Sequence, residues 1–452
     1  MNRSPRRSTG SAYARITALA EQRAVHEAFR WLHLQHQQLL RLQAELVAIP
    51  APPFAESARS EWIAARFAAI GMEAIATDAV GNVMARFPGS GSQSNPASDD
   101  AGVVLLSAHL DTVFPIDTPL APTLREDRLE APGACDNATG VIGMLALAQA
   151  MLTAAIRPAA ELWFVGNVGE EGEGDLRGMR HLYRHAPFRH RIRSHIVLDG
   201  AGAESAVTQA LGSRRFRVRI TGPGGHSFTD AGTANPILAL SDALTRLAAA
   251  AQPSDAARTT FNVGTVEGGT SVNSIPESAR ASIDFRSTDN AELLRLEVAL
   301  HRAVEDAVDL ANAVAKDHAQ KRQADFQPLR AVIEKIGDRP TGALREDAPL
   351  LETLRAVDRH LQLHTDPRLG STDANWPLSL GVPSLSLGAG GDGGAPHTRA
   401  EWYSGANREL GLKRVLLLTL AMLEQADAAQ ANTAQAAAAQ VTAAHISAPE
   451  NS

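Results

Sequence analysis

Five short segments of the chain carry side chains of the kinds that ligate metal ions. The first, LLSAHLDTVFP, ends an apolar run with His109 and places Asp111 two residues later. The other four are APGACDNATG with Asp136, GNVGEEGEGD with Glu170 and Glu171, IVLDG with Asp199, and GGAPHTRAEW with His397. Two imidazoles and three carboxylates from these segments would form a mixed nitrogen and oxygen set, which suits zinc, cobalt or manganese.

Each segment follows a strand-like run, precedes a helix-like run or lies in a glycine-rich loop. Ligands of open α/β sheets bind at the carboxyl ends of the strands, so these segments can converge there. Taken alone, a histidine at a strand end is more often hydrogen-bonded or exposed, and a Glu-Glu pair is usually solvated. The i, i+4 pairs His181/His185 and His360/His364 lack a glutamate in register, so we expect them at the surface. The predicted metal site therefore depends on the co-occurrence of all five segments.

The elements that must position these side chains alternate between strands and helices. Predicted helices cover 24–48, 55–70, 137–155 and 175–185, and predicted strands cover 72–78, 82–87, 102–108, 161–167 and 195–199. The alternation resumes after residue 345 and ends near 425. This order predicts a layered α/β fold with a mostly parallel central sheet.

Residues 212–339 follow a different pattern, in the order β-α-β-β-α-β, which is typical of a ferredoxin-like α+β insert. The predicted organisation is a flexible N-terminal segment at 1–25, one domain formed by 26–211 with 340–426, the insert at 212–339, and a low-complexity tail at 427–452. Because the tail is rich in Ala and Gln, we expect a frayed helix or disorder there. GSGSQSNPASDD at 89–100 is predicted to be a loop by composition.

Composition narrows the class of protein. The chain has 43 Lys and Arg residues against 50 Asp and Glu residues, and aromatic residues form only 4% of it, so we expect no nucleic-acid partner. No apolar run approaches the roughly 18 residues that a membrane span needs. The basic N-terminus lacks an apolar segment behind it, which argues against a secretory signal. A single cysteine, Cys135, excludes an intrachain disulfide and favours a reducing, cytoplasmic location.

The segments HLDTVFP, GACDN, the Glu-Glu pair, VLDG, GPGGHS and PHT together resemble one family of co-catalytic metallohydrolases. That family includes carboxypeptidase G, peptidase T, acetylornithine deacetylase and succinyl-diaminopimelate desuccinylase, and the resemblance covers about residues 36–425. It implies two divalent metal ions per chain, zinc before cobalt or manganese. One ion would take His109 and Asp199, the other Glu171 and His397, and Asp136 would bridge both.

The resemblance also implies roles around the metal ions. The Asp136–Asn137 peptide bond would be cis, and the Asp111 carboxylate would accept the second ring N–H of His109. Glu170 would act as the general base toward a metal-activated bridging water. His226, in GPGGHS of the insert, would stabilise the oxyanion in the site of the other subunit of a homodimer, since the family dimerises through this insert. The alternative for His226 is an ordinary turn histidine.

Substrate contacts are implied at three further positions. Asn273 in SVNSIP and Arg286 in DFR match insert positions that hold a substrate carboxylate, and Gly370 in GSTDAN matches a loop that lines the substrate pocket. Arg286 can also be an ordinary strand arginine.

The function that follows is metal-dependent hydrolysis of an amide bond in a small peptide, of the exopeptidase type. GNVGEEGEGDLRGMRHL and GAPHTRAEW are closer to peptidase T and carboxypeptidase G than to the deacetylases. An N-acyl amino acid deacylase stays as the alternative. A non-catalytic binding protein of the same fold is a further alternative, against which the complete ligand set and Glu170 argue.

Overall fold

The computed structural model describes residues 9–90, 102–252 and 258–446, of which 9–10 and 429–446 are described in backbone alone. The chain divides into two compact units. The first unit comprises Met1–Gln209 and Ala343–Ser452, and the insert unit comprises Ala210–Gly342. These junctions lie two and three residues from the expected 211/212 and 339/340. Among the described residues, no helix combines the length and the apolar character needed to cross a bilayer.

Helices and strands alternate through most of the described chain. The helices there are α1 (Thr9–Ala20), α2 (Arg23–Leu34), α3 (His36–Val47), α4 (Ser57–Ile70), α5 (Ala138–Thr153), α6 (Arg177–His185), α7 (Pro236–Ala250), α8 (Asn290–Arg322), α9 (Pro349–Leu361), α10 (Asn375–Ser379) and α11 (Arg408–Ile446). The strands there are β1 (Glu73–Thr77), β2 (Val83–Arg86), β3 (Val103–His109), β4 (Thr123–Arg125), β5 (Arg128–Glu130), β6 (Glu161–Asn167), β7 (Ile192–Leu198), β8 (Ser205–Ala210), β9 (Gly212–Thr221), β10 (Gly225–His226), β11 (Thr260–Gly268), β12 (Ser274–Ile275), β13 (Ser278–Ser287), β14 (Arg330–Arg339), β15 (Gly342–Ala343), β16 (Asp366–Gly370), β17 (Ser384–Leu387), β18 (Asp392–Gly394) and β19 (Trp402–Ser404).

The first unit is built on a mixed sheet whose centre is parallel. Its strand order is β1-β2-β6-β3-β7-β17-β8-β15, and β16 pairs with β8. Strand β3 lies between β6 and β7 and is parallel to both, and β17 is parallel to β7. Every residue of β3 is buried, as expected for an apolar run in a parallel sheet that is covered on both faces. The predicted layered α/β fold is confirmed.

Helices secure this sheet through burial and through specific polar contacts. Helix α5 packs against β3 and is buried around most of its circumference, because its sequence is nearly all Ala, Gly, Leu, Met and Val. Asn137 caps its N-terminus, with Oδ1 accepting the N–H of Gly140 at 3.0 Å. Helix α11 is tied to α9 by a buried ion pair, in which Arg414 Nε donates to Asp358 Oδ1 at 2.6 Å and Nη2 donates to Oδ2 at 3.1 Å.

The insert unit contains the predicted β-α-β-β-α-β order. Its antiparallel sheet has the strand order β11-β13-β9-β14, and α7 and α8 pack against it. In β9, buried Phe216, Val218 and Ile220 alternate with arginines, so one face of the sheet meets the helices and the other is polar. Helix α7 begins after Asn235, whose Oδ1 accepts the N–H of Ile237 at 2.9 Å.

Two expectations about helices differ from the structure. The described part of the supposed flexible segment 1–25 is helical: α1 packs against α9 and buries Ile16 and Leu19, while α2 begins at Arg23. The single helix expected at 24–48 is interrupted at Gln35, which separates α2 from α3. In the tail, α11 continues to Ile446, whereas 447–452 lie outside the described residues. Most of the predicted loop 89–100 also lies outside them.

Candidate metal centre

The ligand-type side chains lie where the parallel strands end. His109 is the last residue of β3, and Asp199 directly follows the last residue of β7. Glu170 and Glu171 lie on the loop after β6, whose last residue, Asn167, pairs with His109. Because β3, β6 and β7 are parallel neighbours, their carboxyl ends meet at one edge of the sheet.

Side chains from four loops converge at this edge. Within the described residues, the groups with ligand atoms less than 4.8 Å apart are His109/Asp136/Asp199, Asp136/Glu171/His397 and His109/Glu170/Glu171. His109 Nε2 lies 3.1 Å from Asp136 Oδ1 and 3.8 Å from Asp199 Oδ1. His397 Nε2 lies 3.0 Å from both Asp136 Oδ2 and Glu171 Oε1. The first two groups therefore share Asp136, whose two oxygens face different imidazoles.

The hydrogen bonds of His109 show that this cluster fits a cation. Its Nδ1 lies 3.1 Å from the backbone carbonyl oxygen of Asp111, which can only accept, so Nδ1 carries a proton. In a neutral ring, Nε2 then points its lone pair at the carboxylates of Asp136 and Asp199, which is repulsive. Asp136 Oδ1 is also a buried oxygen that makes no hydrogen bond. A cation held between these atoms would satisfy both, and nitrogen with carboxylate oxygen is a donor set that divalent transition metals accept.

The electrostatics of the two histidines agree with this view. Burial opposes a charged His109, but the carboxylates of Asp111, Asp136 and Asp199 outweigh it and raise its pKa well above the ordinary histidine value. Hydrogen bonds to Asp136 and Glu171 raise the pKa of His397 to about 10. Both imidazoles therefore lie where the surrounding carboxylates favour a positive charge.

Asp111 accepts the hydrogen bond of His109 through a different atom from the one expected. Its carboxylate Oδ1 lies 3.6 Å from His109 Nδ1, and the backbone carbonyl of Asp111 takes the hydrogen bond instead. The carboxylate accepts the backbone N–H groups of Glu170 at 3.0 Å and of Glu171 at 2.7 Å. Burial would raise the pKa of this carboxyl, but the imidazole and the two N–H groups hold it below its ordinary value. Asp111 therefore fixes the Glu-Glu loop more directly than the imidazole.

Asn137 connects the segment that carries Asp136 to the backbone around Asp199. The Asp136–Asn137 peptide bond is cis, as the family resemblance implied. Asn137 Oδ1 accepts the N–H of Gly200 at 3.1 Å, and Nδ2 donates to the carbonyl of Leu198 at 2.8 Å. These bonds connect the Asp136 segment to the backbone on both sides of Asp199.

Two further carboxylates near the cluster were not singled out from the sequence. Glu401, in the quoted segment GGAPHTRAEW, is 1% exposed and accepts backbone N–H groups from the segment that carries Asp136. Asp373 is fully buried and accepts Asn167 Nδ2 at 2.6 Å, and burial raises the pKa of Asp373 to about 7. Neither gives a sequence signal beyond an acidic residue in a loop that was already under consideration.

The insert unit carries three of the other expected site residues. His226 is exposed, and its Nδ1 accepts the backbone N–H groups of Phe228 at 3.2 Å and Thr229 at 3.4 Å. In the neutral ring the proton is therefore on Nε2, which can act as a donor. Asn273 lies beside this turn, because its backbone carbonyl accepts the N–H of Ser227 at 3.0 Å.

Arg286 and Gly370 have ordinary structural contacts. Arg286 Nε donates to Asp284 Oδ2 at 2.7 Å on the same strand, β13. Gly370 ends β16 in the first unit, where a Cβ would come within 3.0 Å of the side chain of Val207. The pairs His181/His185 and His360/His364 belong to none of the described metal-type groups.

Comparisons with known proteins agree with this geometry. A probable carboxypeptidase of Aspergillus clavatus is 30% identical over 244 residues, which cover 49% of this chain and 52% of that protein. The chain thus matches about half the length of this curated relative.

Solved structures match over nearly their whole length. An aminopeptidase of Bacillus cereus superposes with a TM-score of 0.65 at 18% identity, covering 85% of this chain and 98% of that one. A tripeptidase of Staphylococcus aureus also gives a TM-score of 0.65, at 20% identity, covering 86% of this chain and 99% of that one. At these identities the superpositions show a shared fold. The sequence model of peptidase family M20/M25/M40 matches residues 105–423, and the chain belongs to that family.

Proposed function

We propose that this chain is a two-metal exopeptidase that hydrolyses an amide bond of a small peptide. The observation that supports it most is the pair of ligand groups that share Asp136, with Glu170 directly beside Glu171. The family to which the chain belongs adds to this support. The curated relative is described as a carboxypeptidase, which favours a peptide over other amides.

His109, Asp136 and Asp199 would hold one ion, and Asp136, Glu171 and His397 the other. When bound, the ions would supply Lewis acidity and lower the pKa of a water molecule. Zinc suits imidazole and carboxylate ligands best, with cobalt or manganese as alternatives.

The remaining chemistry belongs to the chain itself. Glu170 is 4% exposed, and its backbone is held by Asp111, so its carboxylate is fixed beside the ligands. It takes a proton from the attacking water and passes it to the amide nitrogen as the C–N bond breaks, which leaves a carboxylate and an amine. His226 offers its Nε2–H to the oxyanion that forms on the carbonyl.

Substrate selection is assigned to three residues. Asn273 and Arg286 of the insert unit would hold the substrate carboxylate, and the loop beginning at Gly370 would line the pocket. The exposed position of Asn273 supports this assignment. An N-acyl amino acid deacylase would use the same ligands and the same base, and it differs only in what these residues accept.

We further propose that the chain forms a homodimer through the insert unit and acts in the cytoplasm. Exposed apolar side chains on the insert unit support the dimer: Leu294 and Val298 on α8, and Val266 on the edge strand β11, are each more than half exposed. The single cysteine supports a reducing compartment.

Glu170→Gln tests the base. We expect the variant to keep about two metal ions per chain and to lose at least about 10²-fold in kcat, since the amide cannot accept the proton. Glu173→Gln, in the exposed part of the same loop, is the matched control and should keep wild-type kcat. Metal content by mass spectrometry and kcat on a dipeptide are measured together. Near wild-type turnover by Glu170→Gln would remove the base assignment.

A substrate panel separates peptidase from deacylase. The metal-loaded protein is incubated with dipeptides, tripeptides and N-acyl amino acids, and the products are identified by mass. Release of terminal amino acids from the peptides supports the exopeptidase. Hydrolysis restricted to N-acyl amino acids would replace it with the deacylase.

A further inference from the structure

Glu401 joins the two loops that carry Asp136 and His397. It lies four residues after His397, in the turn between β18 and β19. Its backbone N–H donates to the carbonyl of Thr398 at 3.2 Å, and its own carbonyl accepts the N–H of Ala131 at 3.1 Å. Both loops are therefore tied at the backbone close to this residue.

The side chain of Glu401 adds three stronger contacts. Its Oε2 accepts the N–H of Gly133 at 2.9 Å. Its Oε1 accepts the N–H of Cys135 at 2.8 Å and of Asp136 at 2.7 Å. With the residue only 1% exposed, water does not replace these bonds. Hydrogen bonds to a buried carboxylate are stronger than those between neutral groups.

We propose that Glu401 is the positioning residue that sets Asp136 and His397 relative to each other, so that the two metal ions bind as a pair. This inference rests on the proposed two-metal function. A carboxylate is needed because three N–H groups converge on it. A glutamine has one acceptor oxygen, so its NH₂ group would face at least one of those N–H groups.

Glu401→Gln is the central test, with metal affinity as its first readout. We expect metal affinity to fall about 10- to 100-fold, measured by competition with a chelator, as found for residues that orient metal ligands. Excess metal ions should restore part of the lost kcat. Glu130→Gln is the control, because Glu130 is exposed on β5, the strand that pairs with Trp402 on β19. It should keep wild-type metal affinity.

The only cysteine of the chain gives a second readout that needs no metal. Cys135 is 8% exposed and belongs to the segment that Glu401 holds. Removal of one of these hydrogen bonds should speed labelling of the thiol roughly tenfold or more in chelator-treated protein, because the segment opens more often. Labelling of the Glu130→Gln control should match wild type.

The outcomes separate this proposal from the proposed function. Wild-type metal affinity and wild-type labelling in Glu401→Gln overturn the positioning role, even if Glu170→Gln is inactive. Faster labelling of Cys135 in Glu401→Gln supports the proposal that Glu401 holds the loop that carries Asp136. If the metal affinity of the same variant is unchanged, the proposed effect of Glu401 on metal binding is overturned. If wild-type protein binds no metal, the proposed function fails, although labelling still reports on the loop.

A shorter carboxylate covers the case in which Glu401→Gln does not fold. Glu401→Asp keeps the charge and both acceptor oxygens but is one methylene shorter. We expect smaller changes of the same sign in both readouts, with a circular dichroism spectrum like that of wild type. A folded Glu401→Asp that labels and binds metal as wild type does would count against the proposal.

Discussion

At the scale of single residues, the main feature of the site is that some carboxylates accept backbone N–H groups of the segments that carry the metal-type ligands. Asp111 holds the N–H groups of Glu170 and Glu171, and Glu401 holds those around Asp136. A backbone N–H is present at every residue except proline, so these contacts leave no mark in residue type or spacing. The sequence therefore predicted the ligand-type side chains but not all of the residues that fix them.

Asp111→Asn tests whether the Asp111 carboxylate fixes the loop that carries Glu170 and Glu171. Asparagine keeps one acceptor oxygen, and its NH₂ group would face the N–H of Glu170 or Glu171. We expect metal affinity or kcat to fall about 10- to 100-fold, because the loop that carries Glu170 and Glu171 is then held less firmly. Chelator competition and steady-state kinetics measure the two quantities.

The matched control for this variant is Asp117→Asn. Asp117 is exposed on the same loop after β3, so its substitution should change neither quantity. If Asp111→Asn behaves like this control, the carboxylate does not fix the Glu-Glu loop.

The role implied for Asp111 differs from the structure in one respect. The family resemblance implied a hydrogen bond from the imidazole of His109 to the Asp111 carboxylate, whereas the backbone carbonyl of Asp111 accepts that bond. A two-residue spacing places both oxygens near the ring. Which one reaches it depends on the turn of the chain after β3, and residue types alone do not specify that turn.

At the scale of elements, apolar runs and alternation predicted the parallel core and the order of the insert. Strand β3 was predictable because its burial on both faces demands an unbroken apolar run. Helix α1 was missed because its buried face is formed by small alanines together with Ile16 and Leu19, which give a weak periodic signal. The helical structure of that segment depends on its tertiary packing against α9.

A buried histidine connects three of these elements. His195 of β7 lies 2.8 Å from Ser107 Oγ of β3 through Nε2 and 3.0 Å from the Tyr183 hydroxyl of α6 through Nδ1. Burial lowers the pKa of His195 to about 3, so the folded chain keeps the ring neutral where the unfolded chain protonates it. The unfolded state therefore binds more protons as pH falls below about 6.5, and the stability that His195 provides is lost.

His195→Gln should remove this pH dependence. Between pH 6.5 and 4.5 the wild type should lose up to about 1.4 kcal/mol of unfolding free energy per pH unit more than the variant. Urea unfolding in chelator, followed by tryptophan fluorescence, measures it, because all five tryptophans lie in the first unit.

The exposed His190, replaced in His190→Gln, is the control for this experiment. The unfolding free energy of His190→Gln should change with pH in the same way as that of wild type. A His195→Gln curve that also stays parallel would show that the buried ring does not govern acid stability.

At the scale of the whole molecule, the proposed dimer makes a prediction about complementation. His226→Ala and Glu170→Gln should each lose at least about 10²-fold in kcat as separate homodimers. If His226 acts in the partner's site, each mixed dimer has one intact site. Random exchange then restores about a quarter of wild-type activity, since about half of the dimers are mixed.

Exchange is verified by native mass spectrometry before activity is measured. Confirmed mixed dimers that stay inactive would show that His226 does not act across the interface.

The order of the chain also bears on how the protein is made. Strand β17 (Ser384–Leu387) pairs with β7 (Ile192–Leu198), so the central sheet cannot close until the ribosome has passed residue 387. The insert unit, Ala210–Gly342, is continuous and leaves the ribosome earlier. During synthesis, one side of β7 therefore stays unpaired until β17 has been made. The insert unit, which lies between these two strands in the sequence, can already have folded by then.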